Sequence, residues 1–244
     1  MKTNIQNIRN RVIKQSNALT EAAYSLSRDG KRILYSCLHN NKPKANDFGI
    51  ECVFTIDLQV FKDTFKYTTR KEAAHDIRGA LDSMSSKFVK FYIPEEDSAD
   101  EKATENIPWL GKARSSPKRG IYEVELNPNL MEYLFGSEGN FTLFRLEEAG
   151  ELQNPKAIRL YELLCKYRDQ KEYFLYRERV MERFQLPPSY EKLSHFRKKF
   201  LDIAIAEINK KTNMTIDEPK ETKKGRKVIG FLLTFKEEAK NNKQ

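Results

Sequence analysis

Lys192, Arg197, Lys198 and Lys199 stand close together in the stretch YEKLSHFRKKFLDIAIAEINKK, and four more cations crowd one glycine in KKGRK at 223–227. A guanidinium can grip guanine O6 and N7 with two hydrogen bonds, and a lysine ammonium can reach a base edge or a phosphate. At ~100° per residue, Leu193, Phe196, Phe200, Ile203 and Ala204 share one side of a helix and must face a core. Ser194, His195, Lys198 and Asp202 then point the opposite way, with Lys192, Arg197 and Lys199 on the flanks. Lys223, Lys224 and Arg226 fall at the tip of a hairpin that follows, positioned for a phosphate backbone beside a helix in the major groove. Either cluster alone is also what a solvated surface looks like. A basic helix followed by a basic hairpin is the footprint of a nucleic-acid-binding module.

The first half carries a weaker version of the same design. After Thr69, a helix-forming stretch turns Ala73, Ile77, Leu81 and Met84 inward and leaves Lys71, His75, Arg78 and Asp82 on one outward face. Its hairpin, KARSSPKR at 112–119, is also basic, and this half suits DNA contact, protein contact or both. Phe88, Phe91 and Tyr92 alternate as core residues of a strand do, rather than as a stacking platform for single-stranded bases. Signals for catalysis are thin. No G-x-x-x-x-G-K-[ST] is present, His39, His75 and His195 are isolated, and Cys37, Cys52 and Cys165 lack paired spacing. Cys37 and His39 form a C-x-H without a second ligand pair. A non-enzymatic protein with no metal and no cofactor is expected.

The elements that must position these residues come in one order, twice. Residues 1–16, with four basic and no acidic side chains, read as a flexible arm. Thr20 precedes helical segments broken at Asp29-Gly30; ECVFTI is a strand; Asp57 caps a short helix; Thr68 or Thr69 caps a longer one; FVKFYI is a strand. The acidic PEEDSADEKATE (94–105) reads as a loop, and IPWLGKARSS and IYEVEL flank a turn at Pro117-Lys118-Arg119-Gly120. Asn127-Pro128 opens a helix, and GSEGN (136–140) is the candidate boundary. Asn154-Pro155 then opens another helix, EYFLYR is a strand, VMERFQL a short helix, and Ser189 caps the long basic helix. MTIDE and VIGFLLTF follow as strands joined by PKETKKGRK. Helix, strand, short helix, longer helix and hairpin is the winged-helix order, so the fold class is α+β with two tandem winged-helix domains, 17–140 and 141–244. Phe65 and Phe184 lie 119 positions apart, and that offset also pairs Ile77 with Phe196, Arg78 with Arg197, Leu81 with Phe200 and Met84 with Ile203.

Net charge is +9, and it is uneven: residues 145–244 hold 23 basic and 16 acidic side chains, against 21 and 19 before them. The electrostatic half is the second. No apolar run approaches a membrane span and the first residues form no secretory signal, so a cytoplasmic protein with no membrane partner is expected.

Long blocks carry a more specific likeness. QSNALTEAAYSLSRDGKRILY (15–35), SPKRGIYEVELNP (116–128), NPKAIRLYELLCKYR (154–168), ERFQLPPSY (182–190), FRKKFL (196–201) and KKGR (223–226) occur in order along nearly the whole chain, which closely resembles the iteron-binding, theta-type plasmid replication initiators. The resemblance implies a protein that binds tandem origin repeats (iterons) in double-stranded DNA as a monomer, opens the origin, and represses its own promoter as a homodimer on an operator inverted repeat. It further implies the host replication initiator, the replicative helicase and host chaperones as partners. Carried over by position, it puts Lys192, Arg197, Lys198, Lys199, Lys223, Lys224 and Arg226 at the DNA, and on the first-half helix Thr69, Arg70, His75 and Arg78. The spacing between Phe65 and Asp76 is one residue longer than the family pattern, and lysines stand at 198 and 199 where the family has arginines. A dedicated winged-helix repressor without initiator activity is the alternative.

Overall fold

The computed structural model describes residues 12–40, 45–46, 49–50, 52–93, 103–116, 119–135 and 140–238. The described chain begins with a strand, β1 (Val12–Ser16), paired antiparallel with residues 141–145. Ile13, Gln15 and Ser16 are buried along it. The stretch expected as a loose arm is therefore anchored from residue 12 onward by a long-range pairing that composition does not reveal; residues 1–11 lie outside the described residues. Ser16 caps α1 (Asn17–Glu21), its hydroxyl accepting from the Leu19 amide at 3.1 Å, so that helix begins before Thr20. In α2 (Arg28–Asn40), Asp29-Gly30 forms part of the first turn rather than a break, with the carboxylate at the favourable end of the helix dipole.

A two-residue ladder, β2 (Ala45–Asn46) with β3 (Gly49–Ile50), precedes β4 (Val53–Asp57). Asp57 caps α3 (Leu58–Thr64), accepting from the Val60 amide at 2.9 Å, and Thr69 caps α4 (Arg70–Ser85), accepting from Glu72 at 3.1 Å. β5 (Phe88–Ile93) pairs with β6 (Ala103–Pro108), so the end of the segment expected as an acidic loop is strand, while 94–102 lie outside the described residues. β7 (Leu110–Ser116) and β8 (Ile121–Leu126) form a hairpin whose second strand pairs with β4. Pro117-Lys118 at its tip lies outside the described residues. A 3-10 turn at Pro128–Leu130, capped by Asn127, leads into α5 (Met131–Phe135). Of the expected boundary at 136–140, only Asn140 is described.

The second half runs β9 (Phe141–Arg145), α6 (Leu146–Glu151), α7 (Pro155–Lys166), β10 (Glu172–Tyr176), α8 (Arg177–Arg183), α9 (residues 193–211), β11 (Met214–Ile216), β12 (Lys220–Lys224) and β13 (Lys227–Glu237). Asn154 and Pro155 open α7 as expected, the Asn154 side chain accepting from Lys156 at 2.9 Å. PKETKKGRK is not a plain connection. It contains β12, and the hairpin is β12–β13, while β11 pairs with the far end of β13.

The halves repeat one another in backbone geometry. β4 and α3 map end for end onto β10 and α8 at an offset of 119 residues. Each short helix is followed by one residue in left-handed backbone, Lys66 at φ 57° and Gln185 at φ 48°. The next amides, Tyr67 and Leu186, bond back to the Lys62 and Met181 carbonyls, both at 2.9 Å. The same turn thus delivers α4 and α9, and in each half the strand before the short helix pairs with the second strand of the hairpin.

One apolar core runs through both halves. Trp109 is fully buried, edge-on to Tyr24 with ring centroids 5.1 Å apart. α7 is buried along nearly its whole circumference, residues 157–165 inclusive. Polar groups cross the junction with it: Lys31 Nζ lies 2.6 Å from Glu162 Oε1, and Tyr35 Oη donates to the same oxygen at 2.5 Å. Arg159 donates to the Ala22 carbonyl at 2.8 Å and stacks 3.7 Å from the Tyr24 ring centroid; nearby, Arg32 donates to the Gly150 carbonyl of α6 at 2.9 Å. Buried charges persist only when well paired, and here the pairing fixes α2 against α7.

Candidate nucleic-acid interface

The helix expected to carry the site is not uniform. It starts as α-helix at Leu193–His195, passes through a π-helical turn at Phe196–Leu201 and resumes α-helix at Asp202–Lys211, with the Asp202 amide donating to the Arg197 carbonyl five residues back. Ser189, expected as its cap, lies in a preceding 3-10 turn (Pro188–Glu191), and its carbonyl meets His195 Nδ1 at 3.0 Å. A π turn holds about one residue more than an α turn, so everything after it is rotated by roughly 100° relative to uniform winding. The buried stripe is accordingly Phe196, Phe200, Leu201, Ala204, Ile205 and Ile208.

The internal repeat registers the same event. The 119-residue offset holds up to Ile77 and Phe196. After the extra residue it becomes 120, matching buried Ala80, Leu81 and Met84 of α4 to Phe200, Leu201 and Ala204 of α9. The pairings of Leu81 with Phe200 and Met84 with Ile203 are thereby corrected. Ile203, placed in the core by uniform winding, is 48% exposed.

Ser194, Lys198, Asp202 and Ala206 are exposed along the outward line of α9, with Lys199 and Ile203 beside them and Lys192 exposed just before the helix. Arg197 takes a different place. Its Nε is 2.6 Å from Asp202 Oδ1, its Nη2 pairs with Glu218, and its guanidinium lies 5.6 Å from the Phe231 ring centroid. Partial burial works against its charge, but Asp202 and then Glu218 outweigh that, and its pKa is raised. Phe196 stacks on Phe231 at 5.9 Å. These contacts fasten the helix to the hairpin.

At the hairpin tip, Lys224 pairs with Lys227 across a two-residue Gly225-Arg226 loop, and Gly225 takes φ +61°, a conformation glycine adopts at no steric cost. Lys223, Lys224, Arg226 and Lys227 are exposed, and Lys227 reaches Glu178 of α8 at 2.7 Å. The tip thus projects positive charge beside the helix, as a phosphate contact requires.

In the first half, Thr69, Arg70, Lys71, His75, Arg78 and Asp82 are exposed on α4, and Ala73, Ile77, Leu81 and Met84 are buried beneath them. The Arg70 guanidinium lies against the turn at Gly120, joining this helix to its own hairpin. Of the strand aromatics expected in the core, Phe91 is buried and stacks on Tyr133 at 3.9 Å, whereas Phe88 is 53% exposed. Ile203, assigned to the core by uniform winding, is the member of the exposed surface that the sequence did not reveal, whereas Lys227, one of the four cations at 223–227, extends the tip as its place in that tract suggested. The apolar set Phe200, Leu201 and Ala204, in register with Ala80, Leu81 and Met84 of α4 only after a one-residue shift, is the signal that could have found Ile203. Among the described residues no group of three His, Cys, Asp or Glu is placed to hold a metal ion, and no helix is long and apolar enough to cross a membrane.

Comparison with known proteins agrees with this architecture. The family described as initiator replication protein, WH1, matches residues 12–165, and its companion, initiator Rep protein, WH2, matches residues 177–235. A protein of Escherichia coli described as an uncharacterized 27.6 kDa protein is 35% identical over 209 residues, covering 82% of this chain and 85% of its own. The solved structure of the Pi initiator protein in complex with iteron DNA shares the fold, with a TM-score of 0.73 at 20% identity over 94% of this chain and 98% of that one. Two winged-helix modules in tandem, each with a basic helix and a hairpin, and family matches spanning both halves establish that the chain belongs to the initiator replication protein family.

Proposed function

We infer that this chain is a plasmid DNA replication initiator that binds tandem origin repeats in double-stranded DNA as a monomer and represses its own promoter as a homodimer on an inverted repeat. The observation that carries this reading is the cationic surface of the second module: Lys198 and Lys199 face outward on a helix fixed to a hairpin whose exposed tip holds Lys223, Lys224 and Arg226. Family membership supports the role, and the shared fold with the Pi initiator, solved with iteron DNA, supports the target. In this reading residues 141–244 do most of the base reading, and residues 17–140 add a second contact through Thr69, Arg70, His75 and Arg78 and supply the dimer surface. Arg197 supports DNA contact by holding helix and wing together. The host initiator, helicase and chaperones are its protein partners in the cytoplasm. No bond is made or broken by the chain. Binding energy offsets the cost of bending a site of a few helical turns, on the order of 1–6 kcal/mol.

The test is titration of fluorescent duplexes carrying the origin repeats, with scrambled repeats as control. Lys198→Ala with Lys199→Ala should abolish the preference for the repeats, and Lys223→Ala should lower the slope of log affinity against log salt by about one. Unchanged binding in the double variant overturns the assignment of α9. A plasmid bearing only the repeat array, supplied with this protein in trans, should replicate. Failure there with intact promoter repression assigns the chain instead as a dedicated repressor.

A further inference from the structure

Among the described residues, the large apolar side chains left exposed are Val12, Val53, Phe88, Ile93, Leu143, Tyr176 and Ile203, and all but Ile203 lie on strands. Ile203 stands alone on a helix, and that helix is the one with the outward lysines. The π turn puts it there: counted through Phe196–Leu201 at roughly 80° per residue and onward at roughly 100°, Ile203 falls at the azimuth of Lys199, one turn along. Its neighbours on that face are Lys198, Asp202 and Ala206, all exposed. A helix with regular winding would have placed Ile203 on the buried stripe, beside Phe196.

An isoleucine held in water beside cationic groups gains by meeting an apolar surface. The major groove offers donors and acceptors on every base pair and one apolar group, the C5-methyl of thymine. We propose that Ile203 is a specificity-determining residue that packs against a thymine methyl in the bound repeat, one turn from the base or phosphate contact of Lys199. Small Ala206 and the short Asp202 side chain leave the approach on that face open, and Asp202 is held toward Arg197. This inference rests on the assignment of α9 to the major groove.

The experiment begins with the duplex the full-length protein prefers, recovered by selection from a random pool. Each thymine is then replaced singly by deoxyuridine, which removes the methyl and preserves every hydrogen-bonding group. The intact protein should lose about fourfold in affinity at one or two thymines, the value of one buried methyl. Ile203→Ala should bind the thymine duplex more weakly by a similar factor and be indifferent to deoxyuridine at those positions, with Ile203→Val intermediate. All three should melt at the same temperature, because the side chain is exposed. Insensitivity of the intact protein to deoxyuridine throughout, or an unchanged deoxyuridine profile in Ile203→Ala, overturns the proposal while leaving DNA binding by α9 standing. Recovery of no preferred duplex at all brings down the groove assignment and this proposal with it.

Discussion

Arg197 shows how a charged side chain beside two lysines can do a different job from theirs. Lys198 and Lys199 are exposed, whereas Arg197 is spanned between Asp202 on its own helix and Glu218 just before β12, with the Phe231 ring beneath it. Arg197→Met keeps the apolar stem over Phe231 and removes the bridge to Glu218. It should weaken binding to preferred and scrambled duplexes by similar factors, because the wing loses its fixed angle to the helix while the outward residues are untouched. Parallel titration of both duplexes checks this, and a selective loss on the preferred duplex would show that Arg197 reads bases itself. The outward lysines were legible in the sequence because a charge at helical spacing opposite an apolar stripe has one place to go. The role of Arg197 was not, since Glu218 lies 21 residues away and only folding brings it near.

The π turn in α9 is the element that most alters the surface. Up to Phe196 the apolar spacing of α4 and α9 agrees, and the strand–short helix units were legible from the sequence order, while the left-handed turn after them, which obeys the same offset, emerged only with the backbone. Beyond Phe196 uniform winding fails, because a single added residue is absorbed by a wider turn rather than by a loop. Deleting Lys198 should remove that residue and restore the spacing Phe-x-x-Phe-Leu-x-x-Ala, the pattern of Ile77, Ala80, Leu81 and Met84 in the regular helix α4. The deletion variant should fold with a melting temperature within a few degrees of the parent and lose its preference among duplexes, since the core stripe survives and the outward residues are lost or turned. Thermal melts followed by competition binding measure both. β1 and β12 were missed for a different reason: each is short and polar, and each is made a strand by a partner far along the chain or across a hairpin.

In the whole molecule, the halves are joined by buried polar contacts as well as by a shared apolar core. Lys31 and Glu162 are each 1% exposed, so removing either partner strands the other's charge. Lys31→Met or Glu162→Leu alone should cost about 3–5 kcal/mol in urea unfolding, and the double variant should recover much of that. A double variant no more stable than the singles would show that Tyr35, which donates to Glu162, needs the carboxylate more than the lysine does. Acid should loosen a contact inside the second half, between α9 and the residues that open α7. Burial tends to raise the pKa of Glu207, but Lys211 and the amides of Gln153 and Asn154 outweigh it and hold the carboxyl below its ordinary 4.5. A depressed carboxylate stabilises the fold above its unfolded value, and that stabilisation is lost as pH falls through the folded one. Unfolding free energy should therefore hold near neutrality and decline below about pH 4.5, with a shallower decline in Glu207→Gln. The interlock of α2 with α7 has one more consequence. If both modules touch the same duplex, the molecule acts as a caliper with a set jaw: five base pairs inserted between the two contacted tracts would turn one of them to the far side of the double helix, about half a turn away, and no bending of a linker could follow it.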